Sequence, residues 1–250
     1  MRASNIEFRL RMWIMIAIVF LGFWAPWIEL LHLGRRVSLL EWLIVQLSST
    51  GLLSFSASAL AIIVIGALAA ALGAFLRVWG AAYLGYGTVH HEQMQARTMM
   101  ADGPYRFVRN PLYLGGWFMM FAVDLLMPAA GAPFSLLLMT VFFLRLILAE
   151  EDFLAGQLGE PYRDYLRAVP RLFPRLRGAL PTAGHRPHWL IAVVTEVNPI
   201  GIFFAFAFLS WNYDIDLMLK GIVVSFGLAM VLRGIFLHKK DESPIDPALK

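Results

Sequence analysis

The chain has 250 residues and no cysteine. That absence excludes disulfide bridges, thiolate-held metals and a cysteine nucleophile. Charge is also scarce: Asp, Glu, Lys and Arg make up 15% of the residues, against about 25% in a typical soluble domain. Histidine offers no metal centre either. His90, His91 and Glu92 are adjacent, neighbouring side chains on a helix diverge, and no third ligand stands at a fitting spacing, so no metal is expected.

What the chain has instead is apolar length. Hydrophobic residues account for 59% of it, and Leu52 to Leu76 runs 25 residues without an ionisable group. About 20 suffice to cross a bilayer. The expected fold is all-α, a polytopic transmembrane helical bundle. Six apolar segments are expected, at 12–33, 52–76, 112–127, 134–149, 189–210 and 216–236. The third and fourth are joined by the Pro/Gly turn Met127–Pro133 and read as a short helical hairpin, whose second helix continues through EEDFLAGQL to Gly159. Gly66, Ala70 and Ala74 place small residues along one face of the second segment, suited to close helix packing. Thr195–Pro199 (TEVNP) marks a kink in the fifth.

Arg2, Arg9 and Arg11 precede the first apolar run, as in a secretory signal. The run ends in FWAPWIELL without a small-x-small cleavage pattern, so it reads as a retained span. With six spans and the N-terminus inside, eighteen of the Lys and Arg residues fall inside and three outside. The positive-inside rule then puts both termini and both long polar segments, 77–111 and 150–188, in the cytosol. The organisation expected is N-terminal helices over 1–75, a core over 76–180 with a cytosolic-face pocket, and a C-terminal helix pair over 181–250.

Chemistry concentrates in those two polar segments. Gly103 to Gly116 reads GPYRFVRNPLYLGG. Asn110-Pro111 favours an extended residue followed by a helix start, leaving the amides of Leu112, Tyr113 and Leu114 at a helix N-terminus suited to an anion. Arg106 and Arg109 can grip a carboxylate or phosphate in two-pronged fashion. Tyr105 and Tyr113 offer ring faces that attract a cation. Further on, Glu150, Glu151 and Asp152 set three adjacent carboxylates at the mouth of a membrane helix, where ionisable groups usually have a partner. A surface helix carrying Tyr162, Tyr165, Leu166 and Val169 follows and stops at Pro170. Such a set suits a small zwitterion with an additional positive charge. Arg77 reads either as a snorkelling anchor or as pocket lining, and Glu196 as a functional group, a partner for a neighbouring span or a near-surface group.

Three blocks in order carry a resemblance: LRVWGAAYLG (76–85), GPYRFVRNPLYLGG (103–116) and AEEDFLAGQLGEPYRDYLRAVPRLFP (149–174). Together they resemble the isoprenylcysteine carboxyl methyltransferases, which belong with the membrane phospholipid N-methyltransferases. The resemblance implies a methyltransferase using S-adenosyl-L-methionine. It assigns cofactor contacts to Tyr105, Arg106, Arg109, Asn110, Pro111, Tyr113 and Leu114, and adds Glu150 and Glu151 to the pocket. Many members have histidine where this chain has Asn110, which cannot titrate. The segments beyond about residue 180 have no counterpart in the resembling pattern.

Methyl transfer asks mainly for orientation and desolvation. A carboxylate acceptor needs an orienting cation, for which Arg167 and Arg171 are candidates; an amine needs a proton acceptor, for which Glu150 and Glu151 are. The resemblance favours a carboxylate acceptor, with a phospholipid-type amine as the alternative. The partners it implies are a lipophilic or lipidated substrate and membrane lipids, and no nucleic acid. A small transporter or an inactive scaffold is the competing class, although the spans show no two-fold repeat of the kind many transporters have.

Overall fold

The computed structural model describes residues 2–32, 36–84, 102–175, 182, 184, 186–212 and 214–238. Among these residues there are eleven α-helices and no β-strand. They are α1 (Asn5–Arg9), α2 (Arg11–Trp24), α3 (Trp27–Leu30), α4 (Leu39–Ser49), α5 (Phe55–Leu84), α6 (Pro111–Asp124), α7 (Gly131–Leu158), α8 (Glu160–Ala168), α9 (Trp189–Thr195), α10 (Val197–Asn212) and α11 (Ile215–His238). A 3₁₀ turn, Gly103–Arg106, precedes α6.

The all-α reading is met, and the six-segment reading in part. Two helices, α5 and α7, are long and apolar enough to cross a membrane. A third span results if α9 and α10, bent by 69° at their junction, act as one. The expected kink at Thr195–Pro199 is this bend. The first apolar segment does not run on as one helix: Ala25 takes a left-handed conformation at φ 36° and ends α2, and Pro26 opens the short α3. The hairpin is unequal. Its first arm has 14 residues, its second 28, because α7 carries on through the acidic triplet as one helix instead of stopping where the apolar run stops. The sequence reading had both apolar segments short, with the second helix continuing through EEDFLAGQL to Gly159, where it does end.

Small residues decide which helices touch. A Cβ on Gly73 would come within 2.8 Å of the Gly115 carbonyl, so α5 and α6 cross with their backbones in contact. Ala70 and Ala74 on the same face are buried with Met119, Leu125, Ile202 and Phe206; thus α5 meets α6 and α10 in one core. A second core fills between α2 and α7, around Ile18, Met127, Met139, Phe142 and Leu146. There Gly131 sits so close that an added Cβ would lie 1.9 Å from the Gly22 carbonyl.

The two ends of the bundle are closed differently. At one end, backbone hydrogen bonds join the loop before α4 to the hairpin turn: Leu39 N to the Met127 carbonyl at 2.8 Å, Leu40 N to Leu125 at 2.8 Å and Ala129 N to Val37 at 2.9 Å. At the other end the N-terminal segment lies along the second half of α7. Ala3 N donates to the Arg145 carbonyl at 3.1 Å, and the Arg145 guanidinium grips Glu7 at 2.8 Å and 3.1 Å. This second end also gathers the start of α6, the close of α7 and the whole of α8. The parts of the two polar segments nearest these helices, 102–111 and 150–175, therefore lie on one side of the bundle.

Candidate functional site

The segment before α6 is fixed from below. Tyr105 is buried, and its hydroxyl donates to the Gly80 carbonyl of α5 at 3.4 Å. Its own carbonyl accepts the Tyr165 hydroxyl of α8 at 2.9 Å. Burial pushes the Tyr105 phenol well above its ordinary range and raises Tyr162 and Tyr165 likewise, so these hydroxyls stay neutral donors. Gly103 opens the turn at φ +54°. Asp102 is buried beneath it and accepts from the Thr182 hydroxyl.

Above that base the two motifs meet at one carboxylate. Glu151 is buried in α7. Asn110 Nδ2 donates to its Oε1 at 3.0 Å, and Arg171 Nε and Nη2 donate to its Oε2 at 3.0 Å and 2.8 Å. Arg109 Nε lies 3.4 Å from Oε1 but is poorly aligned and stays without a hydrogen bond. Backbone bonds reinforce the junction: Arg109 N donates to the Pro170 carbonyl at 2.9 Å, and Arg175 N to Phe107 at 3.0 Å. Arg109 Nη1 adds the Leu166 carbonyl at 3.2 Å. Asn110 begins α6 without capping it through its side chain; the amide group is turned towards Glu151 instead.

Glu150, one residue earlier, faces another way. Its Oε2 accepts the Tyr113 hydroxyl at 3.2 Å, and the Tyr113 ring meets Phe143 edge-on at 5.6 Å. Neighbouring side chains on a helix point about 100° apart, and the two glutamates diverge accordingly. Of the three amides expected at the start of α6, the Leu114 one already donates to the Asn110 carbonyl at 3.0 Å; those of Leu112 and Tyr113 have no partner within the helix, as first-turn amides do not.

The predicted residues therefore sort into groups. Asn110, Glu151, Arg171 and Arg109 come together, and Tyr113 pairs with Glu150 beside them. Pro111 is buried at the start of α6, with Leu114 half-buried one turn on. Tyr105 is packed under the loop, where its ring lies against α5. Arg106 closes the 3₁₀ turn, half-buried. Arg167 is not brought to the cluster: it is exposed on α8 and paired with Glu160 at 3.1 Å and Asp164 at 2.8 Å. The reading of Arg77 and Glu196 as alternatives resolves into a direct pair, with Arg77 Nε 2.6 Å from Glu196 Oε2. His90, His91 and Glu92 lie outside the described residues. The Tyr165–Tyr105 tie was not legible in the sequence, where Tyr165 showed only as part of an amphipathic stripe.

Two hollows of about 240 Å³ are lined by chain neighbours of the cluster and by none of its own members. One is apolar, between Leu76, Trp79, Pro104, Phe107, Val108, Pro174 and Arg175. The other opens between the N-terminal segment and Ala149, Asp152 and Phe153 of α7. The donor set fits a sulfonium-bearing amino acid in kind. A half-buried carboxylate with an aromatic neighbour suits the cation, unpaired first-turn amides suit a carboxylate, and the buried Arg109 Nε is a donor still unused.

Residues 61–160 match the model of the phospholipid methyltransferase family. Over 70 residues the chain is 40% identical to a methanethiol S-methyltransferase of Crocosphaera subtropica; the aligned stretch is 28% of this chain and 27% of that relative. The chain thus matches about a quarter of the length of the curated relative. No solved structure matches it. The matched stretch runs from within α5 through the arginine motif, α6 and α7, and over it the chain is similar to the phospholipid methyltransferases, the grouping that the three motifs resemble.

Proposed function

We propose that the protein is an integral membrane methyltransferase that takes its methyl group from S-adenosyl-L-methionine and passes it to a lipophilic acceptor, with the site facing the cytosol. The observation that carries this reading is the meeting of Asn110, Arg109 and Arg171 at Glu151, which joins two motifs of the resembling pattern on one side of the bundle.

When bound, the cofactor supplies a methyl group already activated on a positive sulfur. The chain's part is then to hold and to exclude water. Leu112 and Tyr113 would present their amides to the amino-acid end. Glu150 and the Tyr113 ring give a negative, aromatic wall for the cation. Glu151 has both oxygens engaged by donors, so it ties the motifs together and is a poor proton acceptor. Glu150, with a tyrosine hydroxyl as its partner, is the carboxylate suited to take a proton.

A carboxylate acceptor needs no base, in keeping with the isoprenylcysteine-type resemblance. A thiol acceptor is the second reading, favoured by the name of the Crocosphaera relative; its sulfur would take the methyl carbon as the methyl–sulfonium bond breaks and S-adenosylhomocysteine leaves, and Glu150 would receive the thiol proton. Purified protein tested with radiolabelled S-adenosylmethionine against lipid carboxylates, lipid amines and small apolar thiols separates these. Transfer to none of them, with no thermal shift by S-adenosylhomocysteine, overturns the reading.

A further inference from the structure

Glu196 is fully buried, at 0% exposure, where the chain bends by 69° between α9 and α10. It belongs to none of the motifs and lies beyond the stretch matched to the family. Arg77, on α5, holds it in two-pronged fashion, Nε to Oε2 at 2.6 Å and Nη2 to Oε1 at 3.1 Å. The third nitrogen of the same guanidinium, Nη1, reaches the Leu112 carbonyl in the first turn of α6 at 3.4 Å. Gly115 lies flat on the arginine stem, so close that an added Cβ would come within 2.7 Å of Arg77 Cγ. One planar group therefore spans the bend and the turn that carries Leu112 and Tyr113.

Attraction alone does not account for this pair. The helices already share an apolar core, with Phe206 and Leu125 packed around Gly66, and a buried ion pair is often no more stabilising than apolar residues of the same volume. What such a pair adds is direction. With two nitrogens committed to Glu196, the third can point in one direction only. Near Leu112 a shift of the α6 turn moves the amides and the Tyr113 ring together.

We infer that Glu196 is a positioning residue: through Arg77 it sets the first turn of α6, which makes the C-terminal helices a working part of the methyltransferase site. The inference rests on the proposed function for its catalytic consequence, and on geometry alone for its structural one.

The test uses the full chain in detergent micelles or nanodiscs. Glu196→Gln keeps the shape and removes the charge. Amide exchange at Leu114, whose N–H donates to the Asn110 carbonyl, is expected to quicken about tenfold, the shift that one lost charged hydrogen bond corresponds to, while exchange in α4 and α2 stays at the wild-type rate. In the transfer assay KM for S-adenosylmethionine is expected to rise by a similar factor, with the acceptor KM unchanged. Unchanged exchange at α6 overturns the inference, as does an increase spread equally to α4 and α2, which would mark general loosening. If Glu196→Gln does not fold, Arg77→Lys carries the same test, since it keeps the charge and loses the fork; failure of both to fold overturns the inference by making the pair a folding requirement. A wild type that neither binds S-adenosylhomocysteine nor transfers methyl, yet shows the local exchange effect, removes the proposed function and leaves the positioning role standing.

Discussion

Asn110 Nδ2 and Glu151 Oε1 are 3.0 Å apart across a sequence separation of 41 residues. The same amide nitrogen lies 3.3 Å from the Arg171 carbonyl, so one side chain bridges α6, α7 and the segment after α8. A histidine can direct a single N–H at Glu151, which is the bond that matters here. Asn110→His is expected to keep cofactor binding. Asn110→Leu, which has no donor, is expected to lower stability by about 1 kcal/mol. Thermal shift with and without S-adenosylhomocysteine reads both.

Glu151 is the shared partner of Asn110, Arg109 and Arg171. Glu151→Gln strands Arg109 and Arg171. Breaking a buried pair costs about 3–5 kcal/mol; the Arg171 side chain is 42% exposed and regains water, which puts the expected loss near the lower end, about 3 kcal/mol. Unfolding in a graded detergent or denaturant series measures it. A loss under about 1 kcal/mol would show that Glu151 does not hold the motifs together.

The two arginines first paired as acceptor-orienting candidates are expected to behave differently. Arg167→Ala gives up only exposed ion pairs with Glu160 and Asp164, which typically contribute about 0–1 kcal/mol, and transfer activity should be unaffected. Arg171→Ala should weaken both stability and cofactor binding. Equal effects from the two would contradict the placement of Arg167 outside the cluster.

The N-terminal clasp should respond to acid. Arg145 hydrogen-bonds Glu7 and holds its carboxyl down at about 2, from an ordinary 4.5. A folded-state value below the unfolded one contributes stability above about pH 4.5 that is lost as pH falls towards 2. Melting temperature should therefore decline between these limits in the wild type, and the decline should be smaller in Glu7→Gln. Identical acid profiles would show the clasp contributes nothing.

Orientation can be tested in a chain with no native cysteine. Glu160 and Arg163 are exposed on the site side, and Leu52, 81% exposed, lies before α5, at the opposite end of that helix from the site. A maleimide applied to intact cells is expected to label Leu52→Cys, and Arg163→Cys only after permeabilisation. The reverse pattern would invert the topology. Positions 95 and 178, other natural targets in the polar segments, lie outside the described residues.

Much of this was legible in the sequence because its causes are local. Pro111 starts α6 where a fixed φ and a missing donor fit best, and Gly159 ends α7 at φ +68°. Charge-free length disclosed α5. The continuation of α7 through the acidic triplet to Gly159 was readable too, from the glycine and Pro161 that stop it; what the sequence did not show is that Arg171, twenty residues further along, is the partner of Glu151. Helix α4 went unnoticed: its Ser38–Glu41 capping box was readable, but eleven residues are too few for a span. Long-range pairings such as Arg77–Glu196, 119 residues apart, leave no spacing signal at all.

The contrast between the two ends of the bundle has a consequence for how the protein answers its surroundings. Main-chain bonds and the Gly22–Gly131 contact close most of the far end, and salt and acid have a hold there chiefly on one exposed pair, Arg36 with Glu29. The site end is fastened by guanidinium–carboxylate contacts: Arg145 to Glu7, Arg171 to Glu151, Arg77 to Glu196. Ionic strength, lipid headgroup charge and pH all act on fasteners of that kind, most strongly on the exposed ones. The molecule is thus built like tongs with a fixed pivot and adjustable jaws, and an anionic membrane surface would meet it at the jaws.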